Sequence, residues 1–189
     1  MIMAKTSFYT EEELASLGLA SFGSDVRISR YAKFYSPEEI RIGNHVRIDD
    51  FCILSGKIAI GNYVHVNPYS GLFASDAGIV LEDYVNLASR ITMYAISDDY
   101  SGETMTSPLI PEKYKNLTKA KIIIGKYTII GTGTSILPGV TIGEGCAVGS
   151  MSLVKSSLES WGIYAGIPCR YLKPRSKKLL TLVKEDYDE

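Results

Sequence analysis

A six-residue repeat runs through most of this chain and constrains its fold more than any other feature. An aliphatic residue recurs every six positions in three blocks, and a small or β-branched residue follows four positions after most of them. The aliphatic positions are Ile42, Ile48, Leu54, Ile60, Val66 and Leu72; Leu81, Leu87 and Met93; and Ile124, Ile130, Ile136, Ile142, Val148 and Val154. Ordinary strand alternation does not hold such a register, so the repeat predicts a regular solenoid.

The repeat also has a longer period. The dipeptide Ile-Gly opens at Ile42 and Ile60, and again at Ile124 and Ile142, eighteen residues apart in each pair. Six residues make one short strand and a turn, so three such units close a triangular coil. Each coil pairs its backbone with its neighbours, which leaves only the two ends of the solenoid to be capped. We therefore predict an all-β parallel β-helix.

Both ends carry candidate caps. Thr10 and Glu13 have the spacing of a capping box and predict a short helix through about Leu19. Pro174 is predicted to begin a second helix, whose apolar stripe is Leu179, Leu180, Leu182 and Val183. The chain then divides into an N-terminal capping helix region (1–24), a β-helix (25–160) with an inserted loop (95–119), and a C-terminal segment and helix (161–189).

Composition excludes several classes of function. The 20 basic and 21 acidic residues give a net charge of −1, so no basic surface favours nucleic acid or an anionic membrane as a partner. No apolar run approaches the roughly 18 residues of a membrane span, and residues 1–10 lack the apolar stretch of a signal peptide. We expect a cytoplasmic protein that acts on a small molecule. Cys52, Cys146 and Cys169 form no Cys-x-x-Cys pair and are interpreted as reduced packing residues.

Residues 95–119 interrupt the repeat with polar, aromatic and proline-containing sequence. Long loops within a compact domain usually serve function rather than packing. This insert is therefore the first place to look for chemistry.

The closing coils are the most specific stretch of the sequence. The segment Ile136-Leu-Pro-Gly-Val-Thr-Ile-Gly-Glu-Gly-Cys-Ala-Val-Gly-Ser150 is followed by Tyr164-Ala-Gly-Ile-Pro-Cys-Arg170. With the repeat, these segments resemble the hexapeptide-repeat acyltransferases, which include galactoside and maltose O-acetyltransferases and nucleotide-amino-sugar N-acyltransferases. The resemblance covers nearly the whole chain. It implies a left-handed β-helix, a homotrimer with active sites in the grooves between prisms, and acetyl-coenzyme A bound along the later coils.

The resemblance also implies where the acyl donor binds. Thr132 and Ser150 match positions that bind the pantetheine arm in the family, and they stand eighteen residues apart, one coil above the other. Basic residues near the nucleotide end of coenzyme A can meet phosphate. The implied cofactor-binding residues are Thr132, Ser150, Lys155, Ser156, Arg170 and Lys173.

The acceptor site departs from the family pattern. In the sugar O-acetyltransferases a histidine at the start of the long loop is the general base, and the matching position here is Asp98. One coil earlier, His65 occupies the position of a family asparagine that contacts the sugar. We assign catalysis to His65 and Asp98. Substrate binding is assigned to Asn67, Asn86, Asp99 and Glu103.

The acidic loop favours an amine as acceptor. Carboxylates orient an ammonium through charge-assisted hydrogen bonds, whereas a hydroxyl needs a general base that titrates closer to neutrality than a carboxylate does. We therefore expect acetylation of the amino group of a sugar or nucleotide-linked sugar for a cell-surface glycan such as lipopolysaccharide. The alternative is O-acetylation of a sugar hydroxyl, with His65 as base and Asp98 orienting it.

Two other classes of protein fit the sequence less well than an acyltransferase does. Carbonic anhydrases with a left-handed β-helix hold zinc through several histidines, but this chain has only His45 and His65, so we expect no metal. A non-catalytic structural solenoid would explain neither the acidic insert nor the closing coils.

Overall fold

The six-residue repeat defines the inside of the molecule. In the computed structural model, which describes residues 7–186, every aliphatic position of the repeat is at most 4% exposed. The small and β-branched positions that follow are buried as well. Together these side chains form one continuous apolar core along the axis of the solenoid.

The strands are short because the chain turns a corner of the coil after each of them. They are β1 (Ser21–Phe22), β2 (Arg27–Ile28), β3 (Lys33–Tyr35), β4 (Ile40–Ile42), β5 (Arg47–Ile48), β6 (Ile53–Ile60), β7 (His65–Val66), β8 (Gly71–Leu81), β9 (Asn86–Leu87), β10 (Thr92–Tyr94), β11 (Ile96–Ser97), β12 (Thr118–Lys119), β13 (Ile122–Ile124), β14 (Ile129–Ile130), β15 (Ser135–Ile136), β16 (Thr141–Ile142), β17 (Ala147–Val148), β18 (Leu153–Val154), β19 (Gly162–Ala165) and β20 (Arg170–Pro174). The helices are α1 (Glu11–Ala15) and α2 (Leu179–Asp186), with 3₁₀ turns at Pro37–Glu39 and Glu112–Tyr114.

Parallel pairing between successive coils stacks these strands into ladders. One sheet has the order β1-β4-β6-β8-β10-β15-β18 and also includes β3, β13 and β16, and a second has the order β2-β5-β7-β9-β14-β17-β19-β20. The result is a left-handed parallel β-helix of about seven turns, which confirms the predicted fold class.

The strand register shows where the sequence leaves the regular coil. Ile42 pairs with Ile60 and Ile124 pairs with Ile142, one eighteen-residue coil apart in each case. The step from Ile60 to Leu81 is longer by three residues, and β8 absorbs them. Leu81 pairs directly with Ile124, so the whole insert leaves the solenoid and returns to the same register.

The N-terminal cap forms as predicted, although it is shorter. The Thr10 hydroxyl accepts the Glu13 N–H and the Glu13 carboxylate accepts the Thr10 N–H, so both bonds of the capping box are present. The helix ends at Ala15 rather than near Leu19. Arg30 donates two hydrogen bonds of 2.6 Å to the Glu13 carboxylate, which fastens this helix to the first coil. This contact, with the Thr10 N–H, lowers the pKa of Glu13 to about 2.

The prediction that a helix begins at Pro174 is wrong. Arg170–Pro174 is the strand β20, which pairs antiparallel with β19, and α2 begins only at Leu179. The physical reason lies in the next residue, because the Arg175 guanidinium donates to three corner carbonyls, those of Tyr127, Gly145 and Cys146, at 2.8–3.1 Å. These bonds hold the chain extended along the last coils. Leu182 is 55% exposed; the Val183 side chain and residues 1–6 and 187–189 lie outside the described part.

The three cysteines are free, and Cys52 and Cys146 are fully buried while Cys169 is half-buried. Burial raises the pKa of the Cys52 thiol to about 11, which keeps it protonated at neutral pH. No helix between residues 7 and 186 is both long and apolar enough to cross a bilayer.

Candidate active site

The first cluster of candidate residues lies on the outer side of β5, β7 and β9. The His65 Nε2 lies 2.8 Å from Asp49 Oδ2, and Arg47 Nε donates to Asp49 Oδ1 at 2.7 Å. The Asp49 side chain is only 10% exposed, and each of its two carboxylate oxygens has a hydrogen-bond partner. Sequence reasoning missed Asp49. The signal was available, because the eighteen-residue coil places Arg47 beside His65 and Asp49 beside Asn67.

Hydrogen bonds of the Asn67 side chain indicate which nitrogen of the His65 ring carries the proton. The Asn67 amide nitrogen donates to the Leu87 carbonyl at 2.7 Å and lies 3.2 Å from His65 Nδ1. Because that nitrogen is a donor, Nδ1 accepts and the ring proton is on Nε2, facing Asp49. The same amide lies 3.5 Å from Asn86 Oδ1. The structure thus brings His65, Asn67 and Asn86 together.

The insert supplies the second cluster of candidate residues. Its two ends pair as an antiparallel hairpin, Ile96 with Lys119 and Ser97 with Thr118, so the loop begins and ends at one point on the solenoid. Asp98 follows directly after β11 and is exposed. Within residues 7–186, no hydrogen-bond donor or cation contacts its carboxylate. Glu103 is exposed farther along the loop.

Asp99 has a structural role in this loop. Its carboxylate accepts hydrogen bonds from the backbone and hydroxyl of Ser101 at 2.8 and 2.9 Å, and from the backbone and hydroxyl of Thr104 at 3.2 and 2.7 Å. These donors lower the pKa of Asp99 to about 2. Asp99 therefore stays ionised and fixes the turn that presents Asp98.

A cleft of about 890 Å³ lies between the insert and one face of the solenoid. Tyr35, Ser55, Phe73 and Tyr94 stack on neighbouring strands β3, β6, β8 and β10 to form its floor. The insert contributes Asp98, Pro108, Lys115 and Leu117 among its lining residues. This cleft was not predicted from the sequence, although each of its aromatic residues directly follows an inward-facing apolar residue.

His65 and the acidic loop residues lie on different faces of the solenoid. The histidine group belongs to the ladder β5-β7-β9, whereas Asp98 lines the cleft over β3, β6, β8 and β10. The structure gives no contact between His65 and Asp98, Asp99 or Glu103 within one chain. A site that uses both groups must therefore be completed by a second chain.

The predicted acyl-donor residues lie along the later coils. Thr132 and Ser150 are stacked on successive coils, and the Met151 N–H donates to the Thr132 carbonyl at 2.8 Å. Lys155, Ser156 and Arg170 line one cavity of about 470 Å³ between the last coil and β20. Lys173 lies on the same strand, β20, opposite Ile163, but it does not line the cavity. Across residues 7–186, no group of three or more His, Cys, Asp or Glu side chains could hold a metal ion.

Known proteins share both the repeat and the fold. Residues 121–156 match the family described as bacterial transferase hexapeptide (six repeats). The chain is 40% identical over 179 residues to dTDP-4-amino-4,6-dideoxy-D-glucose acyltransferase of Escherichia coli, covering 93% of each protein. It is 28% identical to the putative lipopolysaccharide biosynthesis O-acetyl transferase WbbJ of Escherichia coli K12, covering 72% of this chain and 69% of WbbJ.

Among solved structures, AntD, an N-acyltransferase from Bacillus cereus, superposes with a TM-score of 0.94 at 49% identity, covering 95% of this chain and 96% of AntD. That structure contains dTDP and 3-hydroxybutyryl-coenzyme A. Variants of AntD with a replaced serine hold dTDP-4-amino-4,6-dideoxyglucose and coenzyme A. With its repeat, its coils and this similarity over nearly its whole length, the chain belongs to the hexapeptide-repeat acyltransferases and is an acyl-coenzyme A-dependent enzyme.

Proposed function

We propose that this enzyme transfers an acyl group from acyl-coenzyme A to the amino group of a dTDP-linked 4-amino-4,6-dideoxy sugar. The observation that carries the proposal is the Asp98 carboxylate, which has no donor or cation against it among residues 7–186 and stands at the start of the insert in a cleft large enough for a nucleotide sugar. The Escherichia coli acyltransferase and AntD, both similar over nearly their whole length, support this choice of acceptor.

The residues divide the chemistry between them. Asp98 holds the ammonium of the acceptor by a charge-assisted hydrogen bond. After the nitrogen loses a proton to water, or to His65 once the Asn67 amide has moved away from Nδ1, it attacks the thioester carbonyl. The C–N bond forms, the C–S bond breaks, and coenzyme A leaves as the thiol. The oxyanion of the tetrahedral intermediate needs an N–H donor, which a backbone group at a coil corner would supply.

AntD has been crystallised as separate variants in which either one serine or one aspartate is replaced, and these two residues lie ten positions apart in its sequence. Ser89 and Asp99 have the same spacing in this chain. Asp99 fixes the loop turn and Asp98 faces the cleft, so we assign the two neighbours a joint role, with Asp98 as the group that contacts the amine and Asn67, Asn86 and Glu103 as further acceptor contacts.

The acyl donor is proposed to extend along the later coils. Thr132 and Ser150 present stacked backbone groups to an extended pantetheine arm. The cavity at Lys155, Ser156 and Arg170 provides two cations for phosphate, and Lys173 adds a third on β20. Acetyl-coenzyme A is the simplest donor that fits this path. We also propose that the enzyme works in the cytoplasm and serves a cell-surface glycan such as lipopolysaccharide.

The active form is proposed to be a homotrimer, because His65 and Asp98 lie on different faces of one chain and can share a site only across two. Sedimentation at micromolar concentration is expected to show three times the mass of the 20.8 kDa chain. A stable monomer that retains full turnover would contradict this expectation.

O-acylation of a sugar hydroxyl is the second candidate, and the Asp49–His65 pair favours it. A histidine whose Nε2–H is held by a buried carboxylate has its other nitrogen oriented as a base, as in the catalytic dyads of hydrolases. In this chain Nδ1 is capped by Asn67 at 3.2 Å. It could accept a substrate proton only after that amide moves.

A thiol-release assay tests the proposed function. Purified enzyme and acetyl-coenzyme A are offered dTDP-4-amino-4,6-dideoxyglucose, the corresponding dTDP-6-deoxyglucose with a hydroxyl in place of the amine, and the free amino sugar. We expect thiol release with the first substrate and at least about 100-fold lower kcat/KM with the second, because the loop carboxylate selects a cation. Equal rates with amine and hydroxyl would reject N-acylation in favour of the alternative.

A further inference from the structure

We infer that the cleft between the insert and the aromatic face of the solenoid binds the nucleobase of the acceptor, with Lys115 directed to its diphosphate. The inference rests on the proposed function, in which the acceptor carries a nucleotide but the binding site of the nucleobase is not specified. The floor of this cleft is formed by the outward residues of β3, β6, β8 and β10.

The floor has the form of a stacking surface. Phe73 and Tyr94 are direct partners on β8 and β10, and their rings stack with centroids 5.1 Å apart and planes 12° apart. Tyr94 remains 42% exposed, so one more flat ring can extend the stack. Bases stack on aromatic side chains with little regard to sequence, because every base has a π-face.

Glycine makes room for this surface. A Cβ atom added at Gly71 would lie 2.7 Å from the Phe73 ring, closer than carbon atoms pack. Phe73 therefore lies over the strand only because its neighbour two residues earlier has no side chain. The sequence of β8 therefore fixes the position of the Phe73 ring.

The charges at the cleft match a nucleotide-linked amino sugar. Among the described residues that line it, Lys115 is the one basic side chain and Asp98 the one acidic side chain. Such an acceptor carries a flat ring, an anionic diphosphate and a cationic amine, and the cleft offers aromatic rings, a cation and a carboxylate. A fatty acyl chain would use the rings but neither charge. The volume of about 890 Å³ lies within the usual range for small-molecule sites, roughly 300–1,000 Å³.

Calorimetric titration with two probes tests the inference on the full chain. Thymidine diphosphate reports the ring and the phosphates together, and inorganic pyrophosphate reports the phosphates alone. We expect Tyr94→Ala to raise the Kd of thymidine diphosphate about 5- to 20-fold, the lower part of the range for base stacking because Phe73 remains. The Kd of pyrophosphate should not change. Lys115→Gln should weaken both probes.

Tyr31→Ala is the matched control. Tyr31 also contacts one phenylalanine ring, with centroids 5.6 Å apart and planes tilted by 32°, and it is 56% exposed, but it lies on the first coil outside the cleft. Its replacement should leave both Kd values unchanged. Gly71→Ala provides an independent variant, since it displaces the Phe73 ring without removing an aromatic group, and it should also weaken thymidine diphosphate.

The outcomes separate this inference from the proposed function. If Tyr94→Ala binds thymidine diphosphate as the wild type does, or instead loses affinity for acyl-coenzyme A, the nucleobase is not in the cleft, even if the enzyme acylates the amine. Absence of thymidine diphosphate binding by the wild type overturns the inference as well. If ring-dependent nucleotide binding is found but no amine is acylated, the cleft assignment stands and the proposed function fails.

Discussion

Replacing residues 99–117 by a single glycine is expected to abolish acyl transfer while the β-helix stays folded. The insert leaves and re-enters the solenoid through the paired strands β11 and β12, with Ser97 opposite Thr118. The shortened chain joins these strands by Asp98 and the new glycine, a two-residue Asp-Gly turn that suits an antiparallel hairpin. The parallel ladders on either side, including Leu81 with Ile124, are unaffected.

Turnover should fall by at least about 10³-fold, because the variant keeps Asp98 but loses the wall that positions the acceptor against it. Thermal unfolding followed by circular dichroism checks the fold. Binding of coenzyme A is the internal control, since Lys155, Ser156 and Arg170 lie on the far coils and should bind it as before. Acylation at a rate near that of the wild type would show that the insert plays no part in catalysis.

The side chains that face the core could be predicted from the sequence almost without error. A six-residue period specifies which side chains enter the core, and a core of constant cross-section tolerates no other pattern. The aliphatic repeat positions from Ile42 to Val154 are therefore buried as expected. The eighteen-residue coil also placed Thr132 under Ser150. Both results follow from a local rule that is repeated many times.

The contacts of the outward-facing side chains could not be predicted in the same way. Outward side chains follow no repeating pattern in the sequence. Asp49 and His65, for example, are sixteen residues apart, and only the coil geometry brings them together. The extended strand at Arg170–Pro174 depends on the contacts of Arg175 with three distant carbonyls. Proline at the first helical position was a valid local signal, but the tertiary contacts override it.

The same limit applies to the candidate site. Loop composition singles out Asp98 and Asp99 as candidate residues, but composition cannot distinguish a carboxylate that holds the loop from one that is free to hold a substrate. The four hydrogen bonds to Asp99 make that distinction. They leave Asp98 as the available charge in the cleft.

Asp98→Asn is expected to lower kcat/KM for the amino-sugar acceptor by about 10- to 150-fold, while His65→Asn lowers it tenfold or less. The first change keeps the shape of the side chain but removes the charge that binds an ammonium, and a hydrogen bond to a charged group is worth about 1.5–3 kcal/mol. The second change removes a ring whose two nitrogens are already engaged by Asp49 and Asn67. Steady-state kinetics of both variants, at saturating acetyl-coenzyme A, measure the difference.

Two further variants make the comparison decisive. Asp49→Asn removes the charge that orients His65 without touching the cleft, so it should be as well tolerated as His65→Asn if the acceptor is an amine. If His65 is instead the general base for a hydroxyl, both variants should lose about 10²- to 10⁴-fold in kcat, and Asp98→Asn should be nearly silent. Asp99→Asn tests the neighbour: because Asp99 fixes the turn, its replacement should reduce kcat/KM by moving Asp98. A larger defect in Asp99→Asn than in Asp98→Asn, with the melting temperature unchanged, would transfer the amine-binding role from Asp98 to Asp99.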